Sequence, residues 1–412
     1  MNQTAGGVVG FEEALKIVLD HAGGLSTPPA ESLPLLDCVN RVLAEAVRAD
    51  RDQPPFDRST RDGFAVLASE FGSRDLKIAG QVRAGEQWHG VLEPGAAIEI
   101  MTGAPVPDGA DAVVMVEHVE QTDGTIRPAA RRTIRSGDNI VPRGSEARAG
   151  QSVLPVGTVI EGAEVALAAA CGQACLSVHR RPRVAIVSTG DELVEIDVVP
   201  ELQQIRNSNS YGLAALVAEA GSEAVRLPIV PDQRAKLLET IGAARRCDLM
   251  LLSGGVSMGK YDLVEEVLGV LGAEFFFTGV RMQPGKPVVF GRLPAFDGHP
   301  AQYFFGLPGN PVSTQVTFHC FVEPLLRAMQ GVKGQGPRFA QATLAEDVSG
   351  KPELMRVLPA RFTTVNLRPE VRLVPWQGSG DLTANARANC YAVLPPDKEQ
   401  FTAGDVITIL LR

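Results

Sequence analysis

Two short segments, each following a continuous apolar run, carry the groups best suited to chemistry. Ser188-Thr189-Gly190-Asp191-Glu192 comes after RVAIV and sets two adjacent acids on a glycine turn. Ser253-Gly254-Gly255 comes after DLMLL and opens SGGVSMGKYD, which adds Lys260 and Asp262. Paired glycines let backbone N–H groups converge on an anion, and the start of a following helix adds positive potential. The same residues also make an ordinary tight turn, and both readings stand at this point. Asp232, after a third apolar run (AVRLPIV), is either the N-cap of QRAKLLETIGAARR or a further acid at the same edge. Carboxylates gathered on one edge repel each other and any phosphate. A hard cation such as Mg²⁺, bound by one or two carboxylates and sharing phosphate oxygens, relieves that conflict.

Met282-Gln283-Pro284-Gly285-Lys286-Pro287 holds its lysine on a backbone stiffened by two prolines, so Lys286 is either an anion ligand or a solvated turn residue. LPGNP (307–311) is a rigid turn in which Asn310 can cap a helix and Pro311 sit at its first position. In the first half, PPFDRSTRDGFAV (54–66) and IMTGAPVPDGADAVV (100–114) are turn-rich and bear hydroxyls and acids. The six histidines (21, 89, 118, 179, 299, 319) form no HExxH, and there is no GxSxG elbow, Walker A pattern or GxGxxG after a strand. Serine hydrolase, P-loop NTPase and nicotinamide-dependent oxidoreductase are thereby excluded.

The loops need a scaffold. Unbroken apolar strands (RVAIV, AVRLPIV, DLMLL) alternate with helices whose apolar faces are Leu213, Leu216, Val217 and Ala220, stopped by Gly221, and Val264, Val267, Leu268 and Leu271. That alternation predicts a parallel sheet covered on both faces, with ligand loops at the strands' carboxyl ends. FEEALKIVLD (11–20) has helical spacing, and a second amphipathic stretch runs from Cys38 to Val47. Between Pro54 and Pro142 short apolar runs cut by Gly and Pro (LKIAGQV, AAIEIM, DAVVMVEHVE, IRPA) predict a small β-rich module, followed by an Ala-rich helix at Glu164–Ala170. After a Gly-rich linker, GVKGQGPRF, the runs QATLAEDV, VRLVPW, CYAVLP and DVITILL predict a compact β module at the C-terminal end.

Composition limits the partners. With 412 residues the chain should form about two to three domains. A 45% hydrophobic fraction excludes global disorder. A net charge of −9 with 5% aromatics argues against wrapping nucleic acid or coating an anionic membrane. The longest stretch free of Asp, Glu, Lys and Arg, Gly298–Val322, is broken by Pro300, Pro308 and Pro311, so no membrane span is expected. The first residues lack a basic n-region and a long apolar core, and six scattered cysteines make no disulfide framework or zinc set; a reduced cytoplasm is the expected home.

Six strings occur in one order across residues 55–313: PFDRSTRDGFAV, IMTGAPVPDGADAVV, STGDEL, SGGVSMGKYD, MQPGKP and GLPGNPVS. In that order they resemble the molybdopterin molybdenumtransferases, the bacterial molybdenum-insertion proteins related to the E domain of gephyrin. The resemblance implies a multidomain α/β plus β fold. Its parts would be an elongated helical and mixed domain (1–50 and 143–180), an inserted β-rich domain (51–142), a three-layer α/β molybdopterin-binding-like domain with a parallel sheet (181–330) and a C-terminal β-barrel (331–412). It implies Mg²⁺-dependent insertion of molybdate into adenylylated molybdopterin with release of AMP, in a homodimer whose sites lie between subunits. It also names the adenylyltransferase and apo-molybdoenzymes as candidate partners. A molybdopterin adenylyltransferase is the competing enzyme, but it needs neither the N-terminal strings nor the tail; a non-catalytic scaffold like gephyrin would be free to lose the acids kept here.

By position, the resemblance implies catalytic roles for Asp62, Thr102, Glu192, Asp232, Asp262 and Lys286. It puts Mg²⁺ on Glu192, Asp232 and Asp262. Substrate contacts fall on Ser253, Gly254, Gly255 and Gly285, on Arg356 and Ser379 of ELMR and QGS, and on Glu146. Three positions depart from the family pattern: Arg61 replaces a common Met, Glu146 stands where Asp is usual, and Gln283 replaces a lysine sometimes found before PGKP. An acidic chain acting on two anions needs local positive charge, for which Lys286 and Arg356 are the expected sources.

Overall fold

The computed structural model describes residues 7–130, 132–254, 263–332, 334 and 336–412. They form two compact units: Leu33–Val39 with Glu45–Leu176, and Met1–Ser32, Asn40–Ala44 with Ser177–Arg412.

In the larger unit, strands β1 (Arg183–Ser188), β2 (Glu223–Arg226), β3 (Leu249–Ser253), β4 (Glu274–Phe277), β5 (Val289–Leu293) and β6 (Gln302–Leu307) form one sheet in the order β2-β1-β3-β6-β5-β4. The first four in that order are parallel, as expected, while β5 pairs antiparallel with β6 and with β4, so that only β5 runs against the rest. The strands are apolar throughout because both faces are buried. Val184, Ile186, Leu249 and Leu251 share one core with helices α1 (Phe11–Gly23) and α2 (Ser208–Glu219). Ala185, Val187, Met250 and Leu252 point into a second core with α3 (Arg234–Ala244) and α4 (Leu263–Val270). This alternation, period two along each strand, makes the three layers. Helices α5 (Pro311–Thr317) and α6 (Glu323–Met329) complete the first core through Val312, Val316, Leu325 and Leu326.

Beyond α6, β7 (Phe339–Leu344), β8 (Met355–Val365), β9 (Arg368–Leu373), β10 (Cys390–Leu394) and β11 (Val406–Leu411) close into a five-stranded barrel. β8 is the strand the sequence patterns do not signal. It contains Pro359, a residue type that normally counts against a strand interior. Here the long strand changes neighbours at that point: Ala360 pairs with both Leu373 and Cys390, and these two sets of pairings close the barrel.

The smaller unit contains a six-stranded sheet in the order 112–115, 63–66, 96–100, 76–82, 125–128, 119–122, matching the expected short strands. The Ala-rich helix is present at Gly162–Ala170. The stretch from Cys38 to Val47 does not form a helix; it opens at the end of a 3-10 turn, Leu35–Cys38, and continues as irregular chain. No described helix is long and apolar enough to cross a membrane.

Candidate functional site

The strand order of the α/β sheet reverses across β1 and β3, and in open α/β sheets such a reversal leaves a crevice at the carboxyl ends. A cleft of about 1020 Å³ lies there, lined by Thr189 and Glu192 after β1 and by Ser253 and Gly254 after β3. Arg206–Asn209 at the start of α2, the run Met282–Pro287, Pro308–Pro311, and Lys351, Trp376 and Ser379 from the barrel complete the wall.

The loops are tied to one another. Thr189 N–H donates to the Ser253 carbonyl at 3.1 Å, and its hydroxyl donates to the Asp232 carboxylate at 2.7 Å. Asn209 Nδ2 donates both to Ser253 Oγ (3.1 Å) and to the Gly309 carbonyl (2.7 Å), joining the α2 start to two other loops. Asn310 Nδ2 donates to Ser379 Oγ at 2.9 Å, which fixes the barrel's QGS loop against the first turn of α5. Met282 and Gln283 pair in parallel with Met355 and Arg356, so the stem of the PGKP loop is a short extra strand on the barrel. Gly254 has φ +92°, and a Cβ there would lie 2.2 Å from the Thr189 carbonyl oxygen. Only glycine lets these two backbones approach so closely.

Glu192, Ser253, Gly254, Gly285, Lys286 and Ser379 all line the cleft. Asp232 is not among the described lining residues and reaches the cleft through Thr189, whose hydroxyl donates to it. It is not the cap of α3: the N-cap position is Gln233, and the Asp232 carboxylate is already engaged by the Thr189 hydroxyl. Likewise Asn310 occupies the N-cap position of α5, with Pro311 next, but its side chain serves Ser379 and not the helix. Arg356 is half-buried and donates to the Ser349 carbonyl; its Nε is buried without a partner, and burial holds its pKa below the ordinary guanidinium value. Gly255 and Asp262 lie outside the described residues, as does Lys260.

Asp62 and Thr102 belong to the smaller unit. Gly63 is directly opposite Ile100 across antiparallel strands, so the residues flanking that pair meet. The Thr102 N–H (2.6 Å) and hydroxyl (2.8 Å) both donate to Asp62 Oδ1. These bonds, the backbone one first, hold the exposed Asp62 carboxyl below its ordinary pKa. Its charged form therefore favours the fold above the ordinary carboxylate pKa, and that contribution fades as pH falls through the lowered value. Thr102→Val removes the hydroxyl donor and is expected to move the Asp62 pKa upward in a carboxyl-carbon NMR titration; an unchanged pKa would mean the hydroxyl contributes nothing. Glu146, in the same unit, pairs with Arg58 at 3.1 Å.

The cleft also holds residues that sequence patterns leave unmarked: Arg206, Asn207, Asn209, Lys351 and Trp376. The string RNSN before an apolar helical face is a capping signal, and Asn207 does cap α2, accepting from Ser210 N–H at 3.3 Å. Lys351 and Trp376 have no local signal, because only barrel closure brings them to the α/β sheet. Among the described lining residues Arg206, Lys286 and Lys351 outnumber Glu192, so the cleft is locally cationic within an acidic chain. Among the described residues no cluster of three or more His, Cys, Asp or Glu could hold a metal by itself.

Three family models cover the chain: the MoeA N-terminal region (domain I and II) over residues 9–172, a probable molybdopterin binding domain over 185–328, and the MoeA C-terminal region (domain IV) over 341–411. A molybdopterin molybdenumtransferase from a Nostoc species is 35% identical over 93% of this chain and 89% of its own length. One from Staphylococcus aureus is 33% identical over 97% and 94%. The crystal structure of the molybdopterin biosynthesis moeA protein from Pyrococcus horikoshii matches with a TM-score of 0.77 at 28% identity, covering 98% of this chain and all of that one (100%).

Proposed function

The chain belongs to the molybdopterin molybdenumtransferases, transferases of molybdenum cofactor biosynthesis, and from that premise we propose that it inserts molybdate into adenylylated molybdopterin with Mg²⁺ present, releasing AMP. The observation that carries this is the cationic cleft at the carboxyl edge of the α/β sheet, where Lys286 stands on a proline-bracketed loop facing the glycine turn of Ser253 and Gly254. Both substrates are anions, and a cleft whose described lining has three cations and one carboxylate concentrates them where the protein's average charge would not. Lys286 supplies a point charge for an oxyanion. The Ser253 hydroxyl and the positive end of α2 suit a phosphate.

Glu192 and Asp232 both attach to the 188–192 turn, and with Asp262 they are the groups that would hold Mg²⁺. Two or three carboxylates completed by substrate phosphate oxygens are the set this ion prefers. Bound there, the ion would neutralise charge on the departing AMP phosphate. Thr189, fixed by Asp232 and by β3, keeps the turn rigid whether or not the cleft is filled. The family pattern further suggests a homodimer with its sites between subunits, acting in the cytoplasm and handing its product to apo-molybdoenzymes.

The test is incubation of the purified protein with adenylylated molybdopterin, molybdate and Mg²⁺. AMP should appear only when oxyanion and metal are both present, and Asp262→Ala should release about 100-fold less while unfolding at the same temperature. AMP release independent of molybdate would overturn the proposal.

A further inference from the structure

Both sides of the cleft mix polar and apolar groups. The ends of the sheet and the start of α2 give Thr189, Glu192, Asn209 and Ser253 beside Leu193 and Ile205, and the barrel side gives Leu354, Trp376 and Leu382 beside Lys351 and Ser379. Trp376 is one of two tryptophans in the chain; the other, Trp88, lies against Gly80 in the smaller unit. The Trp376 ring is only partly buried. It packs against both the first core of the α/β sheet and the core of the barrel, so its position is fixed by two separate clusters. The indole N–H has no partner among the described residues, and the exposed part of the ring lines the cleft. A large, rigid aromatic face in a cationic cleft, with Leu354 and Leu382 and the cation Lys351 on its own side, is suited to a flat heteroaromatic ring that carries a phosphate.

We propose that Trp376 is a binding residue that stacks on the flat nitrogen heterocycle of the substrate. This rests on the function proposed above, which brings two such rings, a pterin and a purine, joined through phosphate. Stacking of a heterocycle on an aromatic side chain tolerates either ring, because both present a π-face. Lys351, on the same side of the cleft, can add attraction for the phosphate as the ring docks. Trp376 neither holds the metal nor touches the reacting atoms; its effect belongs to affinity and positioning.

The test uses Trp88→Phe, in which Trp376 is the sole fluorophore, titrated separately with AMP and with oxidised pterin. Binding is followed by calorimetry and by tryptophan fluorescence lifetime. A saturable change with AMP places the purine on Trp376, a change with pterin places the pterin there, and either supports the proposal. Trp376→Leu keeps apolar bulk but loses the π-face. It should weaken binding of the responding ligand about tenfold and raise KM more than it lowers kcat, with Trp376→Phe within about threefold of wild type. If calorimetry detects binding while the lifetime stays constant and Trp376→Leu binds as tightly as wild type, the stacking role is overturned and the proposed reaction stands. If neither ligand binds the wild-type protein, both fall.

Discussion

Gly254→Ala is expected to reduce molybdate-dependent AMP release at least about 100-fold while leaving most of the fold in place. The residue has φ +92°, where any L side chain costs about 1–2 kcal/mol, and its added Cβ would meet the Thr189 carbonyl at 2.2 Å. The obstacle is backbone, so no side chain can swing aside. Either β3 or the 188–190 turn must shift, and each is bonded to the other through Thr189 N–H and the Ser253 carbonyl. A shift of about 1 Å in groups that position substrate is enough for such a loss. Gly242→Ala is the control: that glycine lies inside α3 with nothing within 4 Å of the new Cβ, and alanine there should stabilise the protein slightly, by about 0.4–1 kcal/mol. Full turnover by Gly254→Ala would show that the close approach of the two loops is not needed.

The α/β sheet was the most legible part of the sequence because its strands are buried on both faces and so read as unbroken apolar runs between amphipathic helices. Of the helix faces predicted from spacing, Leu213, Leu216, Val217, Val264, Val267 and Leu268 are buried, while Ala220 and Leu271 are partly buried against the same cores. Two local rules failed for one reason. Asp232 and Asn310 precede helices and have the right chemistry to cap them, yet both side chains are taken by loop partners, Thr189 and Ser379. Where a capping residue stands beside a site, long-range hydrogen bonds compete with the local one, and only the folded chain decides between them. β8 carries no local signal: one half pairs with β10 and the other with β9, and only barrel closure supplies both partners.

The candidate site was legible in its loops and illegible in its far wall. Glu192, Ser253, Gly254, Gly285 and Lys286 follow strands or sit between prolines, and each carried a local signal. Arg356 carried one too, through ELMR, but its guanidinium is turned to the Ser349 carbonyl, and Lys351 is the barrel cation that lines the cleft. The barrel's contribution depends on pairings such as Gln283 with Arg356, across 73 positions of chain (356 minus 283), which no local pattern encodes.

Lys286→Met should lower kcat/KM about 10²–10³-fold with no fall in thermal stability, a combination that separates binding chemistry from folding. The ammonium is exposed in the cleft and makes no ion pair among the described residues, so among them its removal leaves no carboxylate stranded and no cavity. Exposed substitutions of that kind change stability by no more than about 0.5 kcal/mol. The loss in rate has a different origin. A single preorganised charge facing an oxyanion in a sheltered site contributes about 3–4 kcal/mol to the transition state. Arg206 and Lys351 keep the cleft cationic in the variant, so the defect should not be rescued by lowering ionic strength, as a purely long-range attraction would be. Lys286→Arg retains charge but exchanges a compact ammonium for a wide planar fork between Gly285 and Pro287, and should restore only part of the rate. A Lys286→Met variant within about threefold of wild type in AMP release would remove the oxyanion role from this lysine and transfer it to the other two cations of the cleft.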